Sequence, residues 1–328
     1  VNKAFFPLDE RWGLTHSVYS DRLARDMVWL SALLPYEQAA EVFARIGHQL
    51  IPRMSLWRQV QRHGERLSVK WSQQQGQTIS TLGGQSRTAS GELAQGMSLD
   101  GGMIHLRGEG WKEFKVGTIF EVVSGWAVSA DNAAGEQQVK GVNLRYTAVL
   151  GSAEQFAPQM WALALQGGAL SAARLSITAD GAAGIWQWVA DYSPGEVEIV
   201  DWYHALSHLT LAAQALYPQD EQRATAWLAA RQEDLFNGHI DRIIQRLDEA
   251  FLSDHAHYFD THYRRMQYAA FCQQDYPIGS GTVESGIKQF KARLTEAGMR
   301  WSRPAAEKML LIRALVLGDQ FDDFWLAA

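Results

Sequence analysis

The chain has 328 residues, 47% of them hydrophobic, and a net charge of −6. Length and hydrophobic content exclude a disordered chain and allow two or three domains with at least one buried core. No apolar run reaches the roughly 20 residues that span a bilayer, and a single cysteine, Cys272, excludes both an intramolecular disulfide and a cysteine-based zinc site.

Cys272, next to Phe271, reads as a small buried hydrophobe in a protein of a reducing cytosol. The net acidity speaks mildly against a nucleic-acid partner, but the charge is uneven. Residues 1–70 hold ten Lys and Arg against seven Asp and Glu, and residues 288–313 hold seven against two. Local fields matter more to a bound duplex than the total does.

Residues 1–70 read as an N-terminal helical domain. Leu23, Met27, Leu30 and Leu33 recur at helical spacing behind a possible N-cap, Ser20. Pro35 ends that helix, and a second is expected over residues 37–46. A third, over 55–67, offers Arg58 and Arg62 to solvent. Two short helices around a turn containing Gly47 resemble a helix-turn-helix that would bind DNA, or an ordinary helical bundle. Residues 71–96, rich in Gln, Gly and Ser, read as a linker.

From Met97 the apolar period changes. Strands are expected over 97–107, 115–124 and 142–150, then a helix over 155–164, a strand over 174–178, a helix over 182–189 and a strand over 197–200. Three consecutive strands followed by strand–helix alternation imply a mixed sheet with helices packed on it. The fold class is therefore α/β, with an RNase H-like core over residues 97–206. Residues 207–276 carry helical patterns and no strand, and read as an all-α insertion. Residues 277–328 read as helices completing the core, one of them starting near Pro304.

Three acidic residues fall where such a sheet would gather them. Asp100 lies on the first strand, Asp180 ends Leu175-Ser-Ile-Thr-Ala-Asp, and Glu284 opens a helix after Pro277-Ile-Gly-Ser-Gly. Strand carboxyl ends border the crevice where α/β sheets bind ligands. Converging carboxylates repel one another, and a hard divalent cation relieves that repulsion. Two Mg²⁺ ions about 4 Å apart would clamp the attacking and leaving oxygens of a phosphodiester displacement. Each residue also has a plainer reading. Asp100-Gly101 is a possible hairpin turn, Asp180 and Asp201 are possible N-caps, and Glu284 is a favoured first-turn acid. His204 with His208, and His255 with His257 and His262, are candidate zinc ligands or ordinary satisfied histidines.

Four stretches carry a resemblance: Leu99-Asp-Gly-Gly followed by Trp111-Lys-Glu-Phe-Lys-Val-Gly; Ile177-Thr-Ala-Asp-Gly; Val200-Asp-Trp-Tyr-His-Ala; and Pro277-Ile-Gly-Ser-Gly-Thr-Val-Glu-Ser followed by Ala297-Gly-Met-Arg-Trp-Ser. In this order the sequence resembles bacterial insertion-sequence transposases of the DDE type, akin to the Mutator-like superfamily. The resemblance implies that Asp100, Asp180 and Glu284 hold two Mg²⁺ ions, with Mn²⁺ as a substitute, and that Asp201 and His204 support them. It implies double-stranded DNA as partner, a homodimer or larger assembly, and a cytoplasmic, nucleoid-associated location in a bacterium. Lys288, Lys291, Arg293 and Arg300 are expected to contact DNA, and Trp301 to stack on a base or sit in the core. The alternatives are an RNase H-like structure-specific nuclease and a non-catalytic DNA-binding protein derived from a transposase.

Overall fold

The computed structural model describes residues 18–129, 132–192 and 197–326. It opens with three helices, α1 (Asp21–Leu33), α2 (Tyr36–Arg45) and α3 (Arg53–Leu82). Ser20 caps α1 by accepting the Leu23 amide. The chain then enters strands β1 (Ala94–Leu106), β2 (Gly110–Ser129) and β3 (Asn132–Val149), helix α4 (Ala153–Gln166), strand β4 (Arg174–Ala179), helix α5 (Ala183–Tyr192) and strand β5 (Val197–Val200).

Among the described residues these strands make one five-stranded sheet of order β3-β2-β1-β4-β5. The first three run antiparallel, while β4 lies parallel to β1 and β5 parallel to β4. β1 is therefore central, and residues 95–99 are buried on both faces, as a covered parallel strand requires. Met97, Leu99, Ile119 and Ile177 join Phe156, Met160 and Leu163 of α4 in the core.

After β5 the described residues form helices, apart from one isolated bridge of Trp301 to Leu106: α6 (Trp202–Leu216), α7 (Glu221–Phe236), α8 (Ile240–Glu249), α9 (Ser253–Thr261), a short 3-10 turn (Tyr263–Arg265) and α10 (Tyr268–Gln273). Helices α11 (Gly281–Leu294), α12 (Arg303–Leu317) and α13 (Phe321–Leu326) follow. Their Phe290, Met309 and Leu310 belong to the same core as the sheet. A 3-2-1-4-5 mixed sheet followed by an all-α run and by helices that return to the sheet's core, with helices before it, is an RNase H-like fold.

Four expectations need correction. The polar stretch after residue 71 is largely not a linker, because α3 continues to Leu82. Gln is a good helix former, and Leu67, Trp71 and Gln75 are buried at spacings of four. Nor is α3 a free recognition helix, since Val60, Leu67 and Trp71 pack into the main core. A Cβ on Gly64 would stand 2.9 Å from Cβ of Lys308 on α12, so glycine permits that close approach. Cys272 is exposed rather than buried. No helix among the described residues is long and apolar enough to cross a membrane.

The basic run 288–313 is the largest correction. Arg293, expected to meet DNA, is 1% exposed. Its Nε donates to the Ser31 carbonyl at 2.7 Å, and its guanidinium lies over the rings of Tyr36 and Trp301. Arg313 donates to the Ala32 carbonyl at 3.0 Å, and burial pushes its pKa down to about 10. The two arginines thus satisfy orphan carbonyls at the C-terminus of α1, where the helix dipole favours cations. Arg303 pairs with Glu109 and Lys308 with Glu65. Trp301 is in the core, its indole N–H donating to the Leu294 carbonyl at 2.9 Å.

Candidate active site

The sheet register builds the site. Leu99 pairs with Ala179, and Ala179 with Val200. One residue further on, Asp100, Asp180 and Asp201 therefore follow in one row at the carboxyl ends of β1, β4 and β5. Neighbouring strands lie about 4.8 Å apart. Asp100 pairs with Val116 in mid-strand, so the hairpin-turn reading does not hold.

Asp100 and Asp180 line one cavity of about 140 Å³, together with Glu113, Lys115, Phe156 and Trp188. Asp100 is half-buried and its pKa is raised, first by burial and also by the Asp180 charge. The Gly101 amide, donating to Asp100 Oδ1 at 2.6 Å, and the nearby His204 and Lys291 oppose that rise. Asp180 Oδ1 accepts the Ala182 amide at 2.9 Å, which turns the chain into α5.

Asp201 is fully buried and has a different task. Its Oδ1 accepts the His204 amide at 2.7 Å, capping α6. Its Oδ2 accepts the Ser280 amide at 2.5 Å. The Trp202 amide donates to the Ile278 carbonyl at 3.0 Å, and Thr178 Oγ1 to the Pro277 carbonyl at 3.1 Å. The 277–280 loop is thereby stitched to β4 and β5, which brings α11 and Glu284 over the sheet. The side chain of His204 stays exposed.

Glu284 lies in the first turn of α11. Its Oε1 accepts Ser280 Oγ at 3.2 Å, and Lys288 Nζ stands 3.9 Å from Oε2. Among the described residues, no three His, Cys, Asp or Glu side chains are grouped so as to hold a metal ion. The oxygen-only pair Asp100 and Asp180 fits a hard cation, because Mg²⁺ is usually held by one or two carboxylates plus substrate phosphate. Lys288, Lys291 and Arg300 are exposed beside or beyond Glu284, and Arg58 and Arg62 are exposed on α3.

The candidate zinc histidines divide differently. His208 and His255 approach through Nδ1 at 3.2 Å, and His208 stacks on Tyr258 with centroids 3.7 Å apart. Burial, then the neighbouring histidines, push the His208 pKa down to about 4. His262 instead contacts the Gly181 carbonyl. Sequence reasoning missed Tyr258 and Ser280 as neighbours of the carboxylates. Nothing in the spacing signals Tyr258 beside Asp180 or Ser280 beside Asp201, since those contacts join segments about 80 residues apart.

The fold and the aspartate row define a class: an RNase H-like protein with paired carboxylates at the mouth of its sheet. No protein-family model matches the sequence, and no curated protein matches it. Among solved structures, the Drosophila P element transposase strand transfer complex is similar at a TM-score of 0.31 and 8% identity, covering 96% of this chain and 83% of that one.

Proposed function

We propose that this protein is a DNA transposase that cleaves element ends and transfers strands at a site formed by Asp100, Asp180 and Glu284. The observation that carries the reading is the side-by-side placement of Asp100 and Asp180 on parallel neighbours, lining one cavity. The four resembling stretches supply the more specific part, transposition rather than cleavage alone.

Two Mg²⁺ ions held there would supply Lewis-acid activation of the attacking and leaving oxygens. The rest is the work of the chain. Asp100 provides a carboxylate fixed within β1, and Asp180 one at the turn that follows β4. Glu284 closes the set by giving up the hydrogen bond from Ser280 Oγ, which costs about 1 kcal/mol. Asp201 keeps α11 in place through Ser280. His204 and Lys291, close enough to Asp100 to lower its pKa, would face the scissile phosphate. Lys288, Arg300, Arg58 and Arg62 would carry the duplex, and joining two ends calls for a homodimer or larger assembly.

The test uses a supercoiled plasmid carrying the DNA that flanks the coding sequence on both sides, incubated with protein and Mg²⁺. Expected are nicks at the element ends and, from a pre-cut 3′-OH end, joined products. Asp100→Asn, Asp180→Asn and Glu284→Gln should abolish both. Cleavage without joining would favour a structure-specific nuclease. Absence of metal-dependent cleavage, or undiminished cutting by the variants, would overturn the proposal.

A further inference from the structure

The turn that carries Asp180 is held from outside the sheet. His262, 3% exposed, places Nε2 3.1 Å from the Gly181 carbonyl oxygen. The other ring nitrogen, Nδ1, is 3.3 Å from Nη1 of Arg265. A guanidinium has no acceptor, so Nδ1 accepts. Nε2 therefore bears the hydrogen and donates to Gly181. The tautomer is fixed by the neighbour rather than left to choice.

Arg265 is itself anchored. Its Nε donates to Glu198 of β5, and its guanidinium lies 4.4 Å above the Trp186 ring of α5. A chain of polar contacts thus runs from the sheet edge, through Arg265 and His262, to the carbonyl of Gly181, the residue following Asp180. Tyr258 closes the other side. A Cβ added to Gly181 would overlap its ring, so the turn rests on Tyr258 with room only for glycine. Tyr258 is in turn stacked on His208. Its hydroxyl is buried without a hydrogen-bond partner among the described residues, in the field of Asp180 and Asp201.

Tyr258 is supplied by α9 and His262 by the residue following it, both within the all-α run between β5 and α11. We propose that this run supplies the positioning residues of the Asp180 turn: His262 through its Nε2–H on Gly181, and Tyr258 as the surface against which Gly181 is pressed. The helical insertion would then set the direction of one cation-binding carboxylate. The inference rests on reading Asp180 as a cation ligand. Neither residue touches the reacting atoms.

The test uses the full chain without DNA, and Mn²⁺ as the probe. Affinity is read by electron paramagnetic resonance of free Mn²⁺, and the order of the turn by amide hydrogen exchange over residues 179–185. His262→Ala should weaken Mn²⁺ binding by about 10- to 100-fold, the usual effect of removing an outer partner of a metal ligand, and should speed exchange in that segment. His262→Gln, whose amide nitrogen can stand in for Nε2, should recover most of both. Gly181→Ala, whose Cβ would overlap the Tyr258 ring and stand 3.1 Å from His262 Nε2, should reproduce the defect with both side chains retained, which keeps the test decisive if His262→Ala fails to fold. Wild-type affinity and exchange in His262→Ala, or no recovery with Gln, would overturn the inference. If the wild-type protein binds no Mn²⁺, or binds it equally after Asp100→Asn, the proposed function fails instead. The exchange measurement still decides whether the insertion holds the turn.

Discussion

Replacing Asp201 by alanine separates positioning from chemistry. The fully buried carboxylate makes two charge-assisted hydrogen bonds, one to the His204 amide and one to the Ser280 amide. Loss of the N-cap costs about 1 kcal/mol. The Ser280 amide, left buried and unpaired, costs about 1–3 kcal/mol more. Asp201→Ala should therefore destabilise the protein by about 2–4 kcal/mol. Asp201→Asn keeps an acceptor for the cap but turns an NH₂ toward Ser280, so it should fall between wild type and alanine. Denaturant unfolding followed by tryptophan fluorescence measures the order. Nicking of plasmid under folded conditions should fall with stability, because the loop leading to Glu284 loses its tie to β5. A variant that unfolds like wild type yet has lost cleavage would refute this, and would make Asp201 a metal-holding or reacting group.

Other predictions follow from the same geometry. Arg293→Met should cost about 2–4 kcal/mol, since a buried charged hydrogen bond and contacts over two rings are lost together. DNA affinity per folded molecule should not change; unaltered unfolding with lost DNA binding would contradict the burial. Neutralising Lys288, Lys291 or Arg300 should each lower the slope of log affinity against log salt by roughly 0.9 if the residue meets a phosphate; unchanged slopes would remove them from the interface. His63 is 7% exposed beside Trp325. Burial, then Arg66 and Arg62, depress its pKa from 6.5 to about 4. The unfolded chain thus takes up the proton first, and stability present above pH 6.5 is lost as pH falls toward 4. This difference amounts to about 3 kcal/mol. His63→Leu should flatten that part of the stability–pH curve, and an unchanged curve would mean that the imidazole is solvated.

Much of the sheet was legible because strands announce themselves locally. Val197-Glu-Ile-Val-Asp ends its strand where apolar alternation ends, and the observed β5 is Val197–Val200. Asp180 was likewise visible as the acid that closes β4. The N-terminal side was less legible. A Gln- and Ser-rich stretch looks like a linker until the burial of Trp71 and Gln75 shows it is one side of a docked helix. Charge misled most in the run 288–313. Arg293 and Arg313 look like a surface stripe in sequence, whereas the carbonyls that need them belong to α1, more than 260 residues earlier. His262 and Tyr258 were beyond reach for the same reason, since nothing near Gly181 in sequence states which helix will press on it.

The most direct measurement is a crystal of the full chain soaked in Mn²⁺, with anomalous scattering recorded at the manganese edge. A peak bonded to carboxylate oxygens of both Asp100 and Asp180 is the predicted result. No peak there, or Mn²⁺ bound only at other residues, would contradict the claim that these two strand ends form a cation seat.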